Sequence, residues 1–267
     1  MGAHLRAIWL EEARLQSLAN YWPRALPSPL LLKGASYSAR YAGGRAIWGE
    51  GERASSDLDI LIPTPWEQAS QALRPLMSDP IDRRPRGACV SLYLDELLIE
   101  CHLSVAPRWC WPSEGSLSAL ALWERGREVK LNINGSAPTF ILRVPTLIDQ
   151  LAIALAQLLK GGGGLRVRDW IDLTRLLRET KQETLIAAHS SAWRSAGLTR
   201  ALSFALTQLK ETPGWSQLPA ELQALYTTAL SASDLQISYV HPLSGATPGR
   251  LERLYTKATL MRARPLS

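Results

Sequence analysis

Cysteine is scarce in this chain. Cys89, Cys101 and Cys110 are the only three, and they form neither a C-x-x-C pair nor an even set. A disulfide framework or a zinc ribbon is therefore not expected, and the reducing cytoplasm is the expected compartment. No stretch reaches the roughly 18 consecutive apolar residues that a membrane helix needs, so no membrane span is expected. Arg6, Glu11, Glu12 and Arg14 interrupt the apolar residues at the start, which do not read as a signal peptide. No repeat at a fixed period is present. The run Gly161 to Gly164 lacks the following Lys-Ser/Thr of a P-loop and contains no G-x-G-x-x-G, so it reads as a connector between helices.

What is present is globular. Hydrophobic residues make up 46% and charged residues 20%, a balance that argues against wholesale disorder. The 10 tryptophans are scattered along the chain and read as core or groove packing. A formal charge of +6 favours polyanionic partners such as nucleotides or RNA. The 267 residues divide on pattern into a mixed domain over 1–143 and a helical domain over 144–267.

Helical spacing of apolar residues predicts a first helix over residues 4–20, which Pro23, Pro27 and Pro29 end. A buried strand is expected at Leu30 to Lys33, with Gly34 turning the chain into a helix over Ala35 to Tyr41. Gly43, Gly44, Gly49 and Gly51 then mark a connection to a strand at Asp57 to Ile62, followed by a helix from Trp66 to Leu73. After the Pro/Arg-rich stretch around Arg83 to Arg86, residues 90–103 read as a hairpin turning at Asp95-Glu96. A helix near Leu117 to Arg125 and a weak strand at Glu128 to Ile133 complete the first half. The second half reads as a bundle, with helices over 146–159, Arg168 to Arg178, Glu183 to Ser190, Leu198 to Lys210 and Pro219 to Leu230. The tail, with Arg250, Arg253, Lys257, Arg262 and Arg264 against Glu252, is basic; a solvated helix face is the plain reading of it, and RNA binding the sharper one.

The chemistry concentrates in Leu30 to Ile62. In a strand, residues i and i+2 share a face, so the carboxylates of Asp57 and Asp59 leave the sheet together while Leu58, Ile60 and Ile62 face the other way. Two such charges about 7 Å apart repel by about 2 kcal/mol at an effective dielectric near 20, which calls for a cation between them. Glu100 adds a third acid in a sheet context. Three carboxylates on adjacent strands suit Mg²⁺, which binds a few carboxylate oxygens together with water and substrate phosphates, and Mn²⁺ can substitute. The Lys33-Gly34 turn supplies the complementary half, with backbone N–H groups and Ser36 or Ser38 as phosphate donors. Lys33 reads equally well as a surface charge beside a helix. His102, two residues from Glu100, reads more simply as a hydrogen-bonded neighbour than as a ligand. Arg166, Arg168 and Asp172 either line a nucleotide cleft or form a solvated helix face.

The succession LLLKGASYSARY, RASSDLDILI and LLIECH resembles the nucleotidyltransferases of the DNA polymerase beta superfamily, nearest to a bacterial group with LKG, R-x-x-S-D-h-D and h-E-x-H signatures. The resemblance covers roughly residues 28–104. It implies an α+β polymerase-beta-like domain with a mixed sheet and flanking helices, closed by the α-helical C-terminal domain with the NTP in the cleft. It implies that Asp57, Asp59 and Glu100 bind two metal ions and are the catalytic acids, and that Lys33, Gly34, Ser36 and Arg53 bind the nucleotide. Asp95 and Glu96 compete for the third acidic position but sit at the expected turn. Ala35 departs from the superfamily's Gly-Gly or Gly-Ser. The implied reaction transfers an NMP from an NTP, ATP or CTP, to a hydroxyl or phosphate of a small molecule or peptide. The alternatives are a toxin-type enzyme that modifies tRNA and a non-catalytic, antitoxin-like nucleotide-binding protein.

Overall fold

In the computed structural model, which describes residues 2–38, 41, 46–49, 52–53, 57–76, 89–106, 111, 115–131, 140–160, 166–188 and 190–229, contacts divide the chain into two units. Met1–Val105 with Ser113–Thr146 form the first, and Ala106–Pro112 with Leu147–Ser267 the second. The expectations for Gly43, Gly44, Gly51, Arg83 to Arg86, Gly161 to Gly164, Cys110 and the basic tail fall outside the described residues.

The first unit is built on a six-stranded mixed sheet: β1 (Leu30–Leu31), β2 (Leu58–Leu61), β3 (Cys89–Leu94), β4 (Leu97–His102), β5 (Arg127–Leu131) and β6 (Phe140–Val144), in the order β3-β4-β2-β1-β6-β5. Pairs β3/β4, β1/β2 and β5/β6 are antiparallel, whereas β2/β4 and β1/β6 are parallel. Helices α1 (Gly2–Tyr21), α2 (Lys33–Ser36), α3 (Trp66–Leu73) and α4 (Ala119–Arg125) accompany it. The architecture is α+β, as expected.

Register assigns each side chain to a face. Residues directly opposite one another share a face, so Leu31, Leu58, Ile60, Val90, Leu92, Leu94, Ile99, Cys101, Leu142 and Val144 lie together. They form one hydrophobic core with Leu15 and Leu18 of α1 and Ala69 and Leu73 of α3. At about 2 kcal/mol for each fully buried aliphatic side chain, this face is the main stabilising layer. The opposite face carries Asp59, Leu61, Cys89, Ser91, Glu100, His102 and Arg143. Chemistry and core are thus separated by the pleat alone.

The β3–β4 hairpin turns at Asp95-Glu96 as the pattern predicts, with φ of 48° and 65° at the two residues, the positive values of a two-residue type I′ turn. The Asp95 carboxylate accepts hydrogen bonds from Ser17 Oγ at 2.7 Å and Tyr21 OH at 2.9 Å, which tie the turn to α1. Asp95 is therefore committed to structure, which removes it as a competitor of Glu100. The other end of the sheet is fastened by Arg143, whose Nη1 donates to Trp123 O at 2.9 Å and Gly126 O at 3.1 Å, carbonyls at the end of α4. Gly126 is required there by close approach, since a Cβ would stand 2.7 Å from Leu30 Cδ1.

Every described element of the second unit is helical: α5 (Leu147–Lys160), α6 (Val167–Glu179), α7 (Lys181–Ala188), α8 (Ser191–Ser195), α9 (Leu198–Lys210) and α10 (Ala220–Ala229), with a short 3₁₀ turn at Trp215–Gln217. Helix α5 is buried almost all round, as its almost all-apolar sequence predicts, and packs on α6 and α9. The five-residue α8 is too short to show a periodicity and was not expected from the sequence. Gly197, at φ 74°, makes the reversal between α8 and α9. Among the described residues, no helix is long and apolar enough to cross a membrane.

Candidate functional site

Asp59 is the centre of the polar face. It lies on β2 opposite Glu100 of the parallel neighbour β4, so the two carboxylates project side by side. Asp59 Oδ1 accepts from Lys33 Nζ at 2.6 Å and lies 2.7 Å from His102 Nε2. The cation that the acidic pair called for is supplied from within the chain. Side-chain exposures are 3% for Asp59, 4% for His102, 26% for Lys33 and 36% for Glu100, so the pair at Asp59 is shielded from water and Glu100 borders it. Asp57 is partly buried and sits in a bend just before β2 rather than within the strand. The strand-face argument for Asp57 and Asp59 therefore holds only for Asp59, because Asp57 precedes the first paired residue.

Burial pushes the Asp59 carboxyl upward, but the hydrogen bond from His102 and the charge of Lys33 outweigh it and hold the acid down at about 2. Burial likewise pushes His102 downward, and its hydrogen bonds to Asp59, Cys89 and Glu100 reverse this and raise it to about 10. His102 is thus the charged partner of a charged Asp59. Its stabilisation is complete below the ordinary histidine value of 6.5 and is lost as pH rises towards about 10. That of Asp59 is complete above 3.8 and is lost as pH falls towards about 2. Metal-free protein should accordingly be most stable relative to His102→Gln near pH 5 to 6, by on the order of 3 kcal/mol, with the difference shrinking towards pH 10. Urea unfolding of both proteins at pH 6 and pH 9.5 measures this; a constant difference would show that the pair is not ionised.

Lys33 departs from the sequence reading in a second respect. It adopts φ 51°, in the left-handed region, where a side chain costs on the order of 1 kcal/mol or more. The turn into the helix is expected at Gly34, whereas the positive φ falls at Lys33, the first residue of α2. Strain at Lys33 turns its ammonium back to Asp59. The turn is held by Ser36, whose Oγ donates to Lys33 O at 2.7 Å. Helix α2 is a single turn of 4 residues, not the run to Tyr41 that the sequence predicted, because the chain leaves it at Tyr37 and forms an isolated bridge between Ser38 and Trp48. So short a helix adds little dipole. Gly34, Ala35 and Ser36 are all buried. Arg53 is also buried, on the segment leading to β2, which is unusual for a guanidinium and demands partners.

Cys89 and His102 face each other as the last pair of the hairpin, with Sγ 4.0 Å from Nε2. Glu100 Oε2 is 3.6 Å from the same nitrogen. Sulfur, imidazole nitrogen and carboxylate oxygen lie within 4.8 Å of one another, close enough to hold a metal ion. Cys89 was missed as a site residue. Its signal lay in the register: counting outward from the Asp95-Glu96 turn sets it opposite His102.

In the helical unit, Arg166 is bonded to Asp169 at 3.0 Å, the expected solvated helix face, while Asp172 is buried. No family model matches the chain, and no curated protein or solved structure matches it.

Proposed function

We infer that the chain is a metal-dependent nucleotidyltransferase of the polymerase beta type, acting through the polar face of its sheet. The observation that carries this reading is the side-by-side placement of Asp59 and Glu100 on parallel strands, with the ammonium of Lys33 against Asp59. An ionised carboxylate already neutralised by two cationic side chains is suited to exchange one of them for a metal ion. Asp57, Asp59 and Glu100 would hold Mg²⁺, with Mn²⁺ as substitute; bound there, the metal would stabilise charge on the phosphates of an NTP.

Lys33 neutralises the phosphates, and the backbone of Gly34 and the buried Arg53 complete the nucleotide side. Ser36 serves indirectly, through its bond to Lys33 O. Glu100, far more exposed than Asp59, accepts the proton of the acceptor hydroxyl. The new bond joins the acceptor oxygen to the α-phosphorus, the bond to the β-phosphate bridge breaks, and pyrophosphate leaves. A small molecule or peptide is the proposed acceptor.

Incubating the full chain with labelled ATP or CTP, Mg²⁺ and a cell extract should label one fraction, with pyrophosphate released in equal amount. Label in tRNA, with binding that weakens steeply as salt rises, would replace the proposed acceptor by RNA. NTP binding with no transfer to any fraction would overturn the enzymatic reading in favour of a non-catalytic nucleotide-binding role.

A further inference from the structure

We propose that Cys89, Glu100 and His102 form a binding site for a thiophilic divalent metal ion of the zinc class. This trio differs from the all-carboxylate set above. A thiolate and an imidazole are poor ligands for Mg²⁺ but good ones for Zn²⁺. Zinc bonds of about 2.3 Å to sulfur and 2.0 to 2.1 Å to nitrogen or oxygen, at tetrahedral angles, set S to N about 3.6 Å apart and N to O about 3.3 Å. The distances found are 4.0 Å for Cys89 Sγ to His102 Nε2 and 3.6 Å for His102 Nε2 to Glu100 Oε2. These two pairs need to close by a few tenths of an ångström around an ion, and all three donor atoms lie within 4.8 Å of one another.

The strands are set to hold this geometry. Glu100 and His102 alternate on β4 and so share its polar face, and Cys89 is paired directly with His102 across the hairpin. The three donors thus come from rigid, paired backbone, one turn of pleat apart. His102 Nε2 lies 2.7 Å from Asp59 Oδ1, so binding would turn the imidazole from Asp59 towards Cys89 and Glu100 and leave Nε2 and the deprotonated Cys89 thiol to hold the ion. Asp59 would keep its 2.6 Å bond to Lys33, so its buried charge would not be stranded. Three protein ligands leave a fourth tetrahedral position for water or an incoming ligand. Zinc here would take Glu100 away from magnesium, but the site stands on its own donors and does not rest on the transfer reaction.

Titration of the full chain with Co²⁺ is the direct test. One equivalent should produce a thiolate-to-cobalt charge-transfer band in the near ultraviolet, with strong tetrahedral bands in the visible. Cys89→Ser should abolish the charge-transfer band and weaken binding by more than about 100-fold, since loss of even an outer-shell partner costs 10- to 100-fold. Cys110→Ser should leave the band in place. Should Cys89→Ser not fold, the wild-type chain decides: Zn²⁺ should slow alkylation of Cys89, read by mass spectrometry, at least tenfold. A band that survives in folded Cys89→Ser, the absence of any band, or an alkylation rate indifferent to zinc would each overturn the site. Neither readout uses nucleotide, so failure here and failure of the transfer assay are distinct results.

Discussion

Asp57→Ala should reduce magnesium-dependent nucleotidyl transfer by more than about 1000-fold while leaving stability within about 1 kcal/mol of wild type. The two halves of this expectation follow from one placement. Asp57 is partly buried, in a bend just outside the paired strand, so its loss opens no core cavity and removes no ladder hydrogen bond. Its carboxylate precedes Asp59 by two residues, and in the proposed function the two share an ion. Asp59→Ala, by contrast, is a poor test of chemistry. It strands the 4%-exposed His102 without its anion, and removing one partner of a buried pair costs about 3 to 5 kcal/mol. An Asp59 variant is therefore expected to lose stability and transfer together. The two activities should be compared at matched folded fraction, established by urea unfolding. Full transfer in folded Asp57→Ala would remove Asp57 from the site.

Arg143→Ala should destabilise the first unit by about 3 kcal/mol, with no residue of the proposed site altered. The guanidinium lies 4.0 Å over the Trp123 ring and donates to two carbonyls at the end of α4, and the indole in turn donates to Ser28 O at 2.6 Å. Its bond to Glu128 at 2.7 Å adds little, because that carboxylate is 54% exposed. The loss should therefore come from the carbonyls and the ring. Arg143→Lys keeps the charge but not the fork and should recover less than half of the difference; Glu128→Gln should change stability by less than about 0.5 kcal/mol. Urea midpoints that place Arg143→Ala beside wild type would refute the role given to the fork.

Much of this was legible in the sequence, for reasons that differ by element. The helices at Trp66–Leu73 and Leu198–Lys210 and the turn at Asp95-Glu96 emerge at the expected positions because local periodicity and turn composition determine them. Strand β6 is not marked by local pattern, since its register with β5 and its one pairing with β1, Arg143 opposite Leu30, are tertiary events. The acidic residues were found from their oddity in apolar strands. Their partners were harder: Lys33 reaches Asp59 across 26 residues of sequence, and only the fold makes them neighbours. Cysteine spacing along the chain does not disclose Cys89, because its partner His102 lies across the hairpin.

Strand β1 consists of Leu30 and Leu31 alone, yet among the described residues it is the only strand joining β3-β4-β2 to β6-β5. Few backbone bonds cross this joint, among them Leu32 N–H to Asp59 O at 2.9 Å and Arg143 N–H to Pro29 O at 2.8 Å. The sheet is thus two hairpin-bearing plates stitched along a narrow seam, with Arg143 and Trp123 acting as a clasp on one side and Lys33 reaching across to Asp59 on the other. A seam so short can yield before either plate does. The same contact that neutralises Asp59 therefore also guards the joint, and a ligand that draws Lys33 away from Asp59 would loosen the sheet where it is narrowest.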